Sequence, residues 1–326
     1  MDKNKDIQIH INMDIVHAFY KINCLFPKNS KISKLKGGLT NTIYLIEHLG
    51  NKYIIREFGK NTEVFVDRVL EMRIIKELEP YDVTRKLIEL TNKGTIESYV
   101  EGHPVTYESF KNSNLIRKLV GQKLRMLHTS NILTKKETQT AHIWKAFNDW
   151  TTLCLQLYDL DLNIKKILTN IFEIVTMKSK TAAFYPIVMC HNDLNLGNII
   201  YDQHNHQIKF IDFEYASYNY RGYDIGNIFA ELAGNDCNWD KLPTKHERYA
   251  FYSYYLDTYN ENEFKRLDEE VSFFMPLCCL FWALWGLIQN KYSDNLQFDY
   301  LQYSNSKING YFTVMNFFNG SQCHRV

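Results

Sequence analysis

Residues 191–198, His191-Asn192-Asp193-Leu194-Asn195-Leu196-Gly197-Asn198, followed by Asp212 in the stretch IKFIDFE at 208–214, decide how this chain reads. The first segment leaves the apolar run YPIVMC and Asp212 closes the apolar run IKFI. Two short strands therefore deliver Asp193, Asn198 and Asp212 to neighbouring loop ends. Carboxylate and amide oxygens suit a hard cation such as Mg²⁺, which keeps several waters and bridges substrate phosphates. In such a set Asp193 accepts the proton of an attacking hydroxyl, while Asn198 and Asp212 hold the metal. An Asx-rich turn capping its own backbone has the same residue types; Asp212, at that distance after a β-run, tips the reading towards phosphoryl transfer.

That chemistry also needs a cover for the phosphates and a cation, and the N-terminal third supplies candidates for both. The segments KISKLKG, TIYLIEH and KYIIREF read as an antiparallel meander, and VFVDRVLEMRIIKELEP as a helix ending before Pro80. Two more strand-like pieces, VTRKLIEL and GTIESYV, follow, joined by TNKG. Lys36-Gly37-Gly38-Leu39-Thr40-Asn41 lies between two strands, where glycines let backbone N–H groups approach phosphate oxygens; an ordinary hairpin also uses Gly-Gly. The period of two puts Arg56 on the face of Ile54 and Phe58, so its charge needs a partner. Glu71 supplies one from the packing stripe it shares with Ile74 and Ile75. The pair serves either as a structural salt bridge or as the cation, and its aiming glutamate, that grips α/β-phosphates.

After Gly102-His103-Pro104 the pattern changes to long helices, expected over 114–129, 164–177, 246–260, 269–291 and 300–318, around one β-like island at 185–214. The expected division is 1–100 and 101–326. At 326 residues, 45% hydrophobic and 23% charged, the chain is too long and too apolar for a disordered or fibrous class. Its 38 Lys and Arg balance 37 Asp and Glu, so the net charge of +1 favours a small-molecule partner over nucleic acid. Seven cysteines, at 24, 154, 190, 237, 278, 279 and 323, form no C-x-x-C pair and read as reduced cytoplasmic thiols. The longest uncharged stretch, 272–290, is interrupted by Pro276, Gly286 and Gln289, which predicts a buried helix and no stable membrane insertion.

In that stretch Trp282 and Trp285 share a helical face, and indole faces attract ammonium groups within about 6 Å. Two tryptophans on a buried helix also serve simply as core. Tyr215 and Glu231, with Asp224, are candidates to complete a cage for a small cation; Asp224 and Asn227 have the alternative role of ordering a loop and capping a helix, preferred here for Asp224.

Together, HNDLNLGNIIYD (191–202), IDFEYASYNYRGYDIGN (211–227), FWALWGLIQNKYS (281–293), KGGLTN (36–41) and YIIREFGKNTEVFVDR (53–68) resemble the choline/ethanolamine kinase family, from about Ser33 to Phe312. The resemblance implies an α+β, bilobal protein-kinase-like fold, with an N-terminal lobe of antiparallel sheet plus helix and a larger, mostly helical C-terminal lobe. It implies ATP and Mg²⁺ as cofactors and transfer of the γ-phosphoryl group to the hydroxyl of an amino alcohol, the first step of the CDP-dependent route to phosphatidylethanolamine or phosphatidylcholine. By similarity Asp193 is the catalytic base, Asn198 and Asp212 are metal ligands, and Lys36, Gly37, Gly38, Leu39, Thr40, Asn41 and Thr42 cover the phosphates. Arg56 matches the arginine that contacts nucleotide in this family, with Glu71 as its partner. Ser98, Tyr99 and Val100, after Glu97, resemble the hinge that holds adenine. Asn195 stands where many choline kinases carry Gln, which puts one nucleotide contact in doubt. Tyr215, Glu231, Trp282 and Trp285 resemble the amino-alcohol pocket, and the resemblance leaves a homodimer open.

REFGKNTEVFVDR (56–68), ELAGNDCNWDKLP (231–243) and FWALWGLIQNKYS look nearer to the ethanolamine kinases of the family than to its choline kinases. A primary ammonium also donates hydrogen bonds that Glu can accept, whereas trimethylammonium offers none. Ethanolamine is thus the expected acceptor, with choline or dual use as the alternative. Phe213-Glu214 after Asp212, and the lack of an A-P-E segment, argue against a protein kinase. An aminoglycoside phosphotransferase would favour a more open acidic cleft. A non-catalytic nucleotide-binding scaffold predicts loss of a base or metal residue, and all are present.

Overall fold

The computed structural model describes residues 15, 30–35, 41–60, 62–132, 134, 139–293 and 297–320. The chain divides into two compact units, Met1–Glu101 and Gly102–Val326. Lys36, Gly37, Gly38, Leu39 and Thr40 lie outside the described residues, as do Cys24 and Cys323; of the amphipathic segment 6–25, which the sequence predicts as a helix, only Ile15 is described.

The first unit is an antiparallel sheet of β1 (Ser30–Lys34), β2 (Asn41–His48), β3 (Asn51–Phe58), β4 (Leu87–Leu90) and β5 (Gly94–Ser98), in the order β1-β2-β3-β5-β4. The cross-strand pairs Tyr44↔Ile55 and Ile55↔Ile96 place these side chains on one face. There they pack with Ile46 and Ile15 into an apolar cluster. The pairs Arg56↔Thr95 and Ile54↔Glu97 define the other face, which carries charge. Helix α1 (Arg68–Leu78) begins where Asp67 accepts a hydrogen bond from the Leu70 N–H at 3.0 Å, and it buries Glu71, Ile74, Ile75 and Leu78.

In the second unit, α2 (Tyr107–Asn112), α3 (Asn114–His128), α4 (His142–Leu157) and α5 (Leu162–Thr181) precede the strands. Helix α4 was not expected from the sequence. The expected single β-island is two small antiparallel sheets: β7 (Ile187–Cys190) pairs with β10 (Ser217–Tyr220), whereas β8 (Ile199–Asp202) lies between β6 (His103–Pro104) and β9 (Gln207–Phe210). Short strands linked by tight polar loops leave pairing partners undetermined in sequence, and tertiary packing chooses them.

Helices α6 (Arg221–Glu231), α7 (Lys245–Leu256), α8 (Glu261–Tyr292) and α9 (Tyr300–Gly320) complete the unit. Helix α8 is 32 residues long, and it extends eight residues further towards the N-terminus than its apolar pattern suggested because Asn260 caps it with a hydrogen bond from the Asn262 N–H. Its length and composition would suffice to cross a membrane, yet 89% of its most apolar window is buried inside the protein. Helix α6 lies against it through Gly222 and Gly226, where an added Cβ would come within 3.0 Å of Glu270 and Met275. This close approach brings Asp224, Asn227 and Glu231 to bear on the residues around them.

Candidate active site

In the first unit the charged face of the sheet becomes a buried network. The Arg56 guanidinium donates to Glu71, and Arg68 reaches the other Glu71 oxygen at 2.8 Å. Glu97 lies 3.4 Å from Arg56 and 2.7 Å from Arg85, and accepts from the Thr95 hydroxyl at 2.6 Å. Burial alone would raise the Glu97 carboxyl, but Arg85 and Arg56, with the Thr95 hydroxyl, hold it below its ordinary value. Removing one partner from such a buried set costs about 3–5 kcal/mol, because the other charge stays behind uncompensated.

Among the expected nucleotide residues, Asn41 accepts from Arg68 at 3.2 Å and Thr42 sits in β2 opposite Glu57. The Ser98 hydroxyl accepts from the Lys86 N–H at 2.9 Å, and the Lys52 ammonium lies 4.9 Å from the Tyr99 ring centroid, while Val100 is half-buried beyond them. The sequence reading named Glu97 only as part of a hinge and missed its place in this network. The signal was there: period two sets Thr95 and Glu97 on the face of Arg56.

In the second unit the 191–198 segment is held mostly by side chains gripping its backbone. Asp224 accepts from the N–H groups of both His191 and Asn192 at 2.7 Å, and lies 3.1 Å from His128 Nε2. Asp224 therefore orders the loop, as preferred, but does not cap its helix: Tyr220 occupies the N-cap and makes no side-chain cap bond. His191 Nε2 donates to the Ile211 carbonyl at 2.9 Å, so Nδ1 is left to accept from the Asp193 N–H at 3.3 Å. Burial lowers the proton affinity of this ring, in keeping with a neutral imidazole. The Asn192 amide donates to Tyr215 O at 2.9 Å and accepts from Asn219 at 2.8 Å, fixing a backbone with φ of +67°.

The Asp193 carboxylate is thereby aimed. Asn195 Nδ2 donates to one oxygen at 3.2 Å and Asn198 Nδ2 to the other at 3.1 Å. Burial raises this carboxyl well above its ordinary value, and Asp212, Glu231 and Glu214 add to the rise against the Asn195 hydrogen bond. Asn195 also caps the Leu196–Asn198 turn through the Asn198 N–H at 3.2 Å. Since the Asn198 amide nitrogen faces Asp193, its oxygen faces away, available as a hard ligand. Asp212 follows Ile211, whose N–H donates to the main-chain carbonyl of Asn198 at 3.0 Å, so the two backbones run side by side there. These oxygens, in a site that accumulates negative charge, fit Mg²⁺.

The aromatic pocket residues are also brought together. Trp285 Nε1–H donates to the Tyr215 hydroxyl at 2.9 Å, Trp282 Nε1–H donates to Asn227 at 2.8 Å, and the Tyr215 and Trp282 ring centroids lie 5.4 Å apart. Glu231, at the end of α6, receives the Lys307 ammonium at 2.6 Å. Lys307 was missed, although its four-residue spacing from Tyr303 and Tyr311 puts it on the buried stripe of α9.

The family model of choline/ethanolamine kinase matches residues 32–312. The chain belongs to the choline/ethanolamine kinase family. This kinase is 30% identical to the probable ethanolamine kinase A of Dictyostelium discoideum, over 89% of this chain and 88% of that protein. It is 32% identical to ethanolamine kinase 2 of Mus musculus, over 88% of this chain and 77% of the mouse protein. Its structure is similar to that of a Plasmodium vivax ethanolamine kinase, with a TM-score of 0.82, 26% identity, and coverage of 93% of this chain and 90% of the other. The fold is thus protein-kinase-like, with an antiparallel sheet in the N-terminal unit and helices dominating the C-terminal one.

Proposed function

We propose that this kinase transfers the γ-phosphoryl group of ATP to the hydroxyl of ethanolamine, giving phosphoethanolamine and ADP. The observation that carries the reading is the Asp193 carboxylate, each oxygen of which accepts one amide hydrogen bond and keeps a lone pair for a substrate hydroxyl. Asp193 takes the hydroxyl proton as the oxygen attacks phosphorus, and Asn195 and Asn198 hold it in the productive rotamer. Asn198 and Asp212 would hold Mg²⁺, which when bound supplies charge stabilisation of the transferring phosphoryl group. Arg56, aimed by Glu71, is the cation for the nucleotide phosphates in this reading. Tyr215, Glu231, Trp282 and Trp285 receive the ammonium. Relatives that carry the name ethanolamine kinase support ethanolamine over choline. A reducing cytosolic setting belongs to the same proposal, in keeping with five buried free thiols among the described residues.

The test is a coupled ADP-release assay with ATP, comparing ethanolamine, choline and no acceptor, with and without Mg²⁺. A kcat/KM for ethanolamine roughly tenfold or more above choline, a difference of about 1.4 kcal/mol, supports the proposal. The reverse ratio replaces ethanolamine by choline. Full turnover in excess chelator overturns the metal assignment.

A further inference from the structure

Glu231 does not face its pocket alone. The ammonium of Lys307, a side chain only 1% exposed, lies 2.6 Å from Glu231 Oε1. The same ammonium is 5.2 Å from the centroid of the Tyr303 ring and 5.8 Å from that of Trp239. Trp239 can lie there because position 310 is glycine: a Cβ would come within 2.1 Å of the indole. Tyr303 in turn meets Trp285 with centroids 5.9 Å apart, and Trp285 meets Trp282 at 5.9 Å, so the ring system around Lys307 continues into the ammonium pocket. Burial would lower the Lys307 proton affinity, but Glu231 and Tyr303 hold it well above the ordinary lysine value, so the side chain is a permanent cation.

From this geometry we infer that Lys307 is a specificity-determining residue, which makes the pocket favour a primary ammonium over a quaternary one. The inference rests on the amino-alcohol kinase reading and deepens it. Lys307 takes one oxygen of Glu231 and fixes the plane of the carboxylate, leaving the second oxygen at a set orientation. A primary ammonium donates a directed hydrogen bond to that oxygen. A trimethylammonium group has no N–H and responds only to net charge and ring faces. With Lys307 beside Glu231 the net charge of that wall is close to zero, so the quaternary group loses most of the attraction while the primary one keeps its acceptor. Both cations meet the repulsion of Lys307, and only one is compensated by a hydrogen bond.

The experiment is to compare Lys307→Met and Lys307→Arg with the unaltered protein, measuring kcat/KM for ethanolamine and for choline and the KM for ATP. Loss of the charge in Lys307→Met should shift the ethanolamine-to-choline ratio roughly tenfold towards choline, with the ATP KM unchanged within about twofold. Lys307→Arg, which keeps the charge, should hold the ratio within about twofold. An unchanged ratio in Lys307→Met, whatever its stability, overturns the inference and leaves a structural ion pair. If Lys307→Met fails to unfold cooperatively, Lys307→Gln keeps a donor to Glu231 without the charge and carries the same expected shift and the same refuting result. If the unaltered protein phosphorylates neither amino alcohol, the underlying functional reading has failed and this inference falls with it, a result distinct from active enzyme with an indifferent Lys307.

Discussion

The first unit pairs its buried cations with carboxylates, whereas the second gathers carboxylates around Asp193. Among the described residues of the first unit's buried network, Arg56, Arg68 and Arg85 pair with Glu71 and Glu97. Around Asp193 the charges run the other way, with Asp212, Glu231 and Glu214 all pushing its carboxyl up. Under the proposed function, a positive surface suits a polyanionic nucleotide and a negative one a cationic amino alcohol. The difference teaches that hydrogen bonds within each unit fix where its charge points.

The sharpest way to break this contrast is to remove the proposed base without changing its shape. Asp193→Asn should lower kcat by about a thousandfold while the ATP KM moves by no more than about threefold. A fall of less than about tenfold would mean that another group takes the proton. On the positive side, Glu97→Gln should cost about 3 kcal/mol in urea unfolding, because Arg85 and Arg56 keep their charges without a full partner. Its pH dependence has a definite sign. The folded Glu97 carboxyl lies below its ordinary value near 4.5, so its contribution is fully present above that value and disappears as pH falls through the lowered one. The Gln variant should therefore lose less stability on acidification than the unaltered protein; parallel acid limbs would remove Glu97 from the account.

Asp224→Asn tests whether the second unit depends on loop support as well as on charge. An amide has one acceptor oxygen where the carboxylate offers two to the N–H groups of His191 and Asn192, so a loss of about 2 kcal/mol is expected, together with reduced kcat. Normal kcat in a destabilised protein would separate the loop from the chemistry. The smallest effect should come from Trp285→Phe, which removes the donor to Tyr215 and costs about 1 kcal/mol, seen as a several-fold rise in ethanolamine KM at constant ATP KM. Equal rises in both would point to a damaged core.

What could be read in the sequence was what local periodicity controls. The period of two placed Arg56 on the face it occupies, and the three- and four-residue spacing placed Glu71 on the buried stripe of α1. That the 191–198 segment and the strand end at Ile211-Asp212 meet was legible, because the two sit close along the chain. The support from afar was not. His128 and Asp224 lie far from each other in sequence, and their meeting at 3.1 Å depends on how α3 and α6 each pack against β7. The pairing of β7 with β10 was hidden for the same reason: SYNY alternates polar residues with tyrosine, but four residues do not name the strand they pair with. Lys307 and Glu97 were visible as charges at buried periodic positions, but the partner of such a charge is a tertiary fact.

Asn192 and Asp212 have φ values of +67° and +65°, a region that glycine enters freely and other residues enter at a cost. At 192 that cost is met by the side chain itself, whose amide donates to Tyr215 O and accepts from Asn219. Glycine there would relieve the backbone but surrender both hydrogen bonds and widen the unfolded ensemble, so selection for survival on heating would keep asparagine. The residue that bends the loop is also the one that pins it, and neither duty can be handed to a smaller side chain.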